Sequence, residues 1–169
     1  MRNSISAILL LALCLAAAGC TPWATYPPIK GAAGINNPKL EPIPELMADA
    51  IRHAHEQAGG GDAIVFNLPE GTPAEVYDRV ASKLDNAQPM RESGEAAYHV
   101  TEVRVRATDA EVDLIFQAEQ DVPQLMTVKL KQHFVGGWQV VDSRIWRIPQ
   151  QLPPPYYTPP AEPDTESGG

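Results

Sequence analysis

The sequence predicts an α+β domain in which two helices pack on one face of a curved antiparallel sheet of four to five strands. Between residues 43 and 84, two segments carry apolar residues at every third or fourth position, which is typical of amphipathic helices. After residue 98, apolar and polar residues alternate in four segments, which is typical of strands with one buried face. Proline-rich segments lie on both sides of this pattern, so the predicted domain spans residues 43–148.

The two predicted helices have recognisable ends. The first begins at Ile43, with Pro44 in the first turn, where proline is well tolerated, and it ends at the glycines of residues 59–61. A short strand over residues 63–68 follows, and then Thr72 and Glu75 match a capping box at the start of the second helix. The faces expected to pack on the sheet are Ile43, Met47, Ala50, Ile51, Ala54 and Ala58 in the first helix, and Val76, Tyr77, Val80, Ala81 and Leu84 in the second.

The first predicted hairpin turns at Asp109–Ala110. This register places Arg106 opposite Asp113 and apolar residues opposite apolar ones, so it is self-consistent. The residues expected on the core face are Val103, Val105, Val112, Leu114 and Phe116.

The second predicted hairpin turns at Gly136–Gly137, which sets Lys131 opposite Asp142. The residues expected on its core face are Met126, Val128, Leu130, Phe134, Val141 and Ile145. The outer face then carries Trp138, Val140 and Trp146 beside His133. Exposed apolar patches rich in tryptophan often mark interfaces, so these four residues form the candidate partner surface. Two alternatives remain: a bulge near Asp142 turns the tryptophans inward, or the C-terminal tail covers them.

The hairpin sequences VRVRATDAEVDLIFQ and VKLKQHFVGGWQVVDSRIWRI resemble the C-terminal sheet of the NTF2-like (cystatin-like) superfamily. There the last hairpin often combines alternating apolar residues, a glycine turn and a Trp-x-Val sequence. The resemblance covers residues 98–148. It implies a fold that hosts binding proteins, assembly modules and a few enzymes with a pocket between helix and sheet, so fold alone does not choose the function.

Residues 1–19 have the features of a secretory signal peptide, with Arg2 near the start and an apolar run over residues 5–18. This run is shorter than the roughly 20 residues that a transmembrane helix needs. The sequence AAGC that ends at Cys20 resembles the lipobox of bacterial lipoproteins, in which the cysteine is acylated and becomes the new N-terminus. It departs from the usual pattern at Ala17, where leucine is common. The alternative is ordinary cleavage nearby, which leaves a free thiol.

The lipobox resemblance implies a cell-envelope protein that is held outside the cytoplasm by acyl chains such as palmitate on Cys20. Cys14 would leave with the signal peptide, so no disulfide could form. Thr21 stands where an aspartate tends to retain Gram-negative lipoproteins at the inner membrane. In a Gram-negative cell the resemblance therefore implies the outer membrane, facing the periplasm.

The chain is acidic and has proline-rich ends. Its formal net charge of −8 becomes −9 without Arg2, so nucleic acid is not an expected partner. Residues 20–42 are predicted to form a proline-rich tether, and residues 149–169 a disordered, proline-rich acidic tail. In the tail, Pro153–Tyr156 matches Pro-Pro-x-Tyr, a ligand pattern for partners that bind polyproline segments.

The histidines give no catalytic or metal-binding pattern. His53 and His55 are two positions apart on the predicted helix and cannot share an ion. Asp49, His53 and Glu56 share a face, for which a solvated polar surface is the simpler interpretation. We therefore expect no catalytic residue, no metal and no cofactor.

These observations predict a non-enzymatic lipoprotein that binds an envelope protein, or a second copy of itself, through the candidate partner surface. The alternative is an NTF2-like domain that binds or converts a small ligand in a pocket between helix and sheet. A third hypothesis is a passive subunit whose proline-rich tail makes the contact.

Overall fold

The computed structural model describes residues 21–61, 63–117 and 122–160, and within these ranges the chain forms two helices and an eight-stranded mixed sheet. The helices are α1 (Ile43–Gln57) and α2 (Ala74–Ala81). The strands are β1 (Ala24–Tyr26), β2 (Ala33–Gly34), β3 (Ile64–Asn67), β4 (Ala87–Pro89), β5 (Tyr98–Arg106), β6 (Asp109–Gln117), β7 (Pro123–His133) and β8 (Gly137–Pro149). The α+β class is confirmed. The expectation of four to five antiparallel strands is wrong, because short strands before β5 extend the sheet and some of them pair in parallel.

The four long strands β5 to β8 form an antiparallel meander, and the short strands join it at β5. β1 pairs antiparallel with the C-terminal half of β5, where Ala24 lies opposite Val105. β3 pairs in parallel with the N-terminal end of β5, where Phe66 lies opposite Tyr98. At the other side of the meander, no strand of the described ranges pairs with the outer side of β8. β8 is therefore an edge strand, and it is 13 residues long.

Helix α1 packs across the meander and provides one side of the core. It contacts all four long strands and also α2. Its predicted start is confirmed, since Pro44 lies in the first turn, and so is its glycine end, where the N–H of Gly60 donates to the carbonyl of His55 at 2.9 Å. Its core-facing side chains include Leu46, Met47 and Ile51, which are fully buried.

Helix α2 has the predicted apolar face but not the predicted cap. Val76, Tyr77 and Val80 are fully buried, as expected. The Thr72 hydroxyl instead donates to the carbonyl of Pro69 at 2.6 Å and lies 2.7 Å from the Tyr26 hydroxyl, while Glu75 pairs with Lys39. The capping box is therefore wrong, because both of its side chains have tertiary partners.

The first hairpin turns at Ala107–Thr108, two residues earlier than predicted, so Val105 lies opposite Ala110 and Arg106 opposite Asp109. The register differs from the predicted one by an even number of residues, which leaves every side chain on its expected face. Val103, Val112, Leu114 and Phe116 are buried and Val105 packs partly against the core.

Both proline-rich ends include residues that pack on the domain, which corrects the expectation that they are unpacked. In the predicted tether, β1 joins the sheet and buries Thr25 and Tyr26. In the predicted tail, Tyr157 packs against the hydrophobic core.

Cys20, the signal sequence and residues 161–169 lie outside the described residues. Neither helix of the described ranges has the length and apolar character that crossing a membrane requires.

Candidate functional site

The four residues of the candidate partner surface do not come together, because the second hairpin pairs in another register. Its loop contains three residues, so His133 lies opposite Gly137 and Leu130 opposite Val140. An odd shift from the predicted register moves side chains to the opposite face. Trp138 is accordingly only 7% exposed, within the core cluster, and Val140 packs partly against that cluster. Their expected outward positions are wrong.

A bulge then restores the predicted face for the C-terminal half of β8. The register shifts between Lys129 and Leu130, so Asp142 lies opposite Lys129 and its carboxylate is 3.4 Å from the Lys129 ammonium. The predicted pairing of Asp142 with Lys131 is wrong. A bulge lies near Asp142, but it returns Trp146 to the outer face and does not turn the tryptophans inward as that alternative expected. Beyond it, Trp146 lies on the outer face, so the two tryptophans are on opposite faces of the sheet.

The outer face carries a polar network around Trp146 and not an apolar patch. The indole Nε1 donates to the Thr127 hydroxyl at 3.0 Å, and that hydroxyl donates to Asp113 at 2.6 Å. Asp113 also accepts from Arg104 at 2.7 Å, so the network crosses four strands. The Arg144 guanidinium lies 3.9 Å from the centre of the Trp146 ring. Trp146 is half-buried in this network, whereas His133 at the end of β7 is exposed and is not part of it.

Five of the exposed large apolar residues of the described ranges lie instead on β8 and in the loop that precedes it. Val141 is 56% exposed, Ile145 43% and Ile148 58%. Phe134 is fully exposed, next to the largely exposed Val135. The expected burial of Phe134, Val141 and Ile145 is therefore wrong, although Ile145 lies opposite the buried Met126 and keeps its predicted face. An edge strand with unpaired backbone groups and apolar side chains is a site for adding another strand.

Two of the grooves formed by the described residues lie beside α1. One, of about 280 Å³, lies between α1 and β8 and is lined by Asp49, Arg52, His53, Glu56, Trp138, Gln139 and Val140. There His53 Nε2 is 2.9 Å from the Ser143 hydroxyl, and the described residues contain no group of three ligands that could hold a metal ion. The other, of about 500 Å³, is mainly apolar and lies beside Thr21, with Ile35, Leu40 and Val105 in its wall.

A third site surrounds Asn67, which the sequence analysis did not select. Asn67 is 1% exposed, and its carboxamide has all four of its hydrogen-bonding positions occupied. Nδ2 contacts His99 Nδ1 at 3.3 Å and the carbonyl of Pro154 at 2.8 Å. Oδ1 accepts from the Tyr77 hydroxyl and from the backbone N–H of Tyr156, both at 3.1 Å. One feature of the sequence could have indicated this site, namely a polar residue, Asn67, at the end of an otherwise apolar strand. A buried amide needs hydrogen-bond partners, so other polar groups were to be expected around it.

The electrostatics of this site favour neutral groups. Because the Asn67 amide nitrogen can only donate, His99 Nδ1 accepts and its proton lies on Nε2, which has no hydrogen-bond partner. Burial lowers the pKa of His99 to about 4 and raises the pKa of Tyr77 to about 12. Both side chains are thus uncharged near neutral pH.

The fold and its sites define a small α+β protein with one long unpaired edge strand and a proline-rich segment docked on a buried polar cluster. No family model matches the chain, and no significant match was found among curated proteins or solved structures. The resemblance to the NTF2-like superfamily therefore stays a prediction.

Proposed function

We propose that this chain is a lipid-anchored, extracytoplasmic assembly module that self-associates through the edge of β8 in the cell envelope. The signal-like residues 1–19 and the lipobox-like sequence at Cys20 support the anchor. Only Thr21, Pro22 and Trp23 separate Cys20 from β1, a span of about 10 Å when extended. The domain would therefore lie directly at the membrane surface, and in a Gram-negative cell at the outer membrane, facing the periplasm. The proposal assigns no catalytic step and no cofactor to the domain.

The observation that carries the proposal is the combination of free backbone groups and exposed apolar side chains along β8. Natural proteins usually protect a long edge strand with charges, prolines or a covering segment. Here the exposed Val141, Ile145 and Ile148 are interspersed with the charged Asp142, Arg144 and Arg147, so the edge offers both apolar and charged side chains. Such an edge favours pairing with a strand of another chain, in which main-chain hydrogen bonds supply much of the affinity.

A second copy of the chain fits this edge in a register centred on Ser143. If two β8 strands pair antiparallel about Ser143, Asp142 lies opposite Arg144 of the other copy, and Val141 lies opposite Ile145. A pairing centred on Asp142 or on Arg144 would instead place like charges opposite each other, which is unfavourable. The sequence of β8 is therefore self-complementary about Ser143.

Charge exchange across this register tests the proposal. Asp142→Arg alone and Arg144→Asp alone each place like charges opposite one another twice in a symmetric dimer. Exposed pairs contribute about 0.2–1 kcal/mol each, so we expect either change to weaken dimerisation about tenfold. The double variant restores opposite charges and should recover most of the affinity. Sedimentation of the full acylated chain in detergent measures this, and a monomer at all concentrations, or no recovery in the double variant, would contradict the proposal.

The apolar groove beside Thr21 favours a second candidate function, the binding of a small apolar ligand. Its volume of about 500 Å³ lies within the range of small-molecule sites. Ile35→Glu would place a charge in the groove and should reduce binding of a fluorescent fatty acid at least about tenfold, whereas Ile148→Glu on β8 should not. Equal binding by both variants would exclude this groove as the site.

A further inference from the structure

The segment of residues 152–157 is held on the domain by side chains and not by the sheet. Asn67 binds the Pro154 carbonyl at 2.8 Å and the Tyr156 N–H at 3.1 Å, so one carboxamide contacts the backbone on both sides of Pro155. Tyr157 packs on Tyr77 with ring centres 5.0 Å apart. Within the described residues, no backbone–backbone hydrogen bond joins residues 151–160 to the rest of the chain.

The residues that bind this segment, Asn67 and Tyr77, are held in place by contacts within the domain. The Tyr77 hydroxyl binds both Asn67 Oδ1 and the N–H of Leu68 at 3.1 Å, and the Tyr77 ring stacks on Phe66 with centres 5.8 Å apart. His99 holds the other end of the Asn67 carboxamide. The orientation of Asn67 is therefore fixed without the segment, and preorganisation of this kind favours binding. If the segment leaves, one donor and one acceptor of a buried amide lose their partners, which is unfavourable.

The pattern of contacts specifies the chemistry of the ligand. The site uses the backbone carbonyl of one residue, here Pro154, and the backbone N–H of the residue two positions later, here Tyr156. It also uses the aromatic ring of the next residue, Tyr157. A proline is suitable at the first position because only its carbonyl is used, and prolines hold the backbone extended before binding. The position of Tyr156 excludes proline because its N–H donates. The ligand is thus a proline-rich peptide in which a residue with a backbone N–H, as at Tyr156, is followed directly by an aromatic residue such as Tyr157.

We propose that Tyr77 and Asn67, the latter also held by His99, form a receptor site for an extended proline–tyrosine peptide of a partner protein, which the chain's own tail occupies in cis. The tail has an effective concentration in the millimolar range, so a peptide in trans binds measurably only when the tail is weakened. This inference does not depend on β8 or on the lipid anchor.

The test uses the full chain with Tyr156→Pro and Tyr157→Ser, which removes the tail's N–H and its ring but leaves the receptor residues unchanged. The probe is a fluorescently labelled synthetic peptide with the sequence of residues 150–160, followed by anisotropy. We expect saturable binding that is at least about tenfold tighter than binding to the wild-type chain. A matched peptide with proline in place of Tyr156 should bind at least about tenfold more weakly.

Two results would overturn the proposal: no saturable binding to the double variant up to about 1 mM, or equal binding of the two peptides. Asn67→Ala in the double variant should abolish binding, with circular dichroism to show that the chain is folded. The comparison of the two peptides uses one protein, so it does not depend on the folding of the Asn67 variant.

Discussion

Acidification is expected to destabilise the domain through His99. This side chain is 1% exposed, and burial lowers its pKa to about 4 from the ordinary value of 6.5. As the pH falls below 6.5, the unfolded chain binds a proton that the folded chain does not bind, so the stability present above pH 6.5 is lost progressively down to about pH 4. The free energy of unfolding should decrease by about 1.4 kcal/mol per pH unit in this window, or about 3 kcal/mol in total.

Urea unfolding at about pH 7.5 and about pH 4.5 measures this effect, with His99→Gln as the control. The two proteins differ at this side chain alone, so the difference between the two pH dependences isolates His99. We expect the wild-type chain to lose about 2.5 kcal/mol more than the variant between these pH values. Equal losses in both proteins would refute the reasoning, because they would show that His99 is protonated as easily in the folded chain as in the unfolded one.

Two further substitutions test the core and the outer face, both by urea unfolding at neutral pH. Leu46→Ala empties a fully buried site on α1 and should cost about 2–5 kcal/mol, whereas Leu40→Ala, at an exposed position, should cost little; similar costs would contradict the assigned core. Thr127→Val removes the hydroxyl between Trp146 and Asp113 and should cost about 1–3 kcal/mol, while Thr127→Ser retains the hydroxyl and should cost less.

The two hairpins show why strand faces are predicted more reliably than strand registers. In both, alternation identified the strands correctly, but it does not fix the number of residues in the turn. The first hairpin shifted by an even number, so Val103 and Leu114 kept their predicted face. The second shifted by an odd number, and Trp138 moved into the core. A bulge then returned Trp146 to the predicted outer face, and no feature of a period-two pattern locates such a bulge.

The packing of the proline-rich ends could not be predicted because their contacts are tertiary. Proline-rich segments lack the apolar periodicity that indicates a buried face, so both ends were expected to be unpacked. Tyr26 is buried because β5 offers it a neighbouring strand, and the segment before Tyr157 is held because Asn67 is buried and needs partners. A tertiary contact also explains why the predicted capping box is wrong, because the Thr72 hydroxyl contacts the Tyr26 hydroxyl and does not cap the helix.

Site-specific photocrosslinking in membranes of the source cell tests the proposed function most directly. A photoreactive side chain at Val141 reports on the edge of β8, and one at the exposed Gln88 of β4 is the matched control. We expect a product of twice the protomer mass from Val141, in the membrane fraction, and none from Gln88. Absence of that product, or recovery of the chain from the soluble fraction alone, would contradict a lipid-anchored module that assembles through β8.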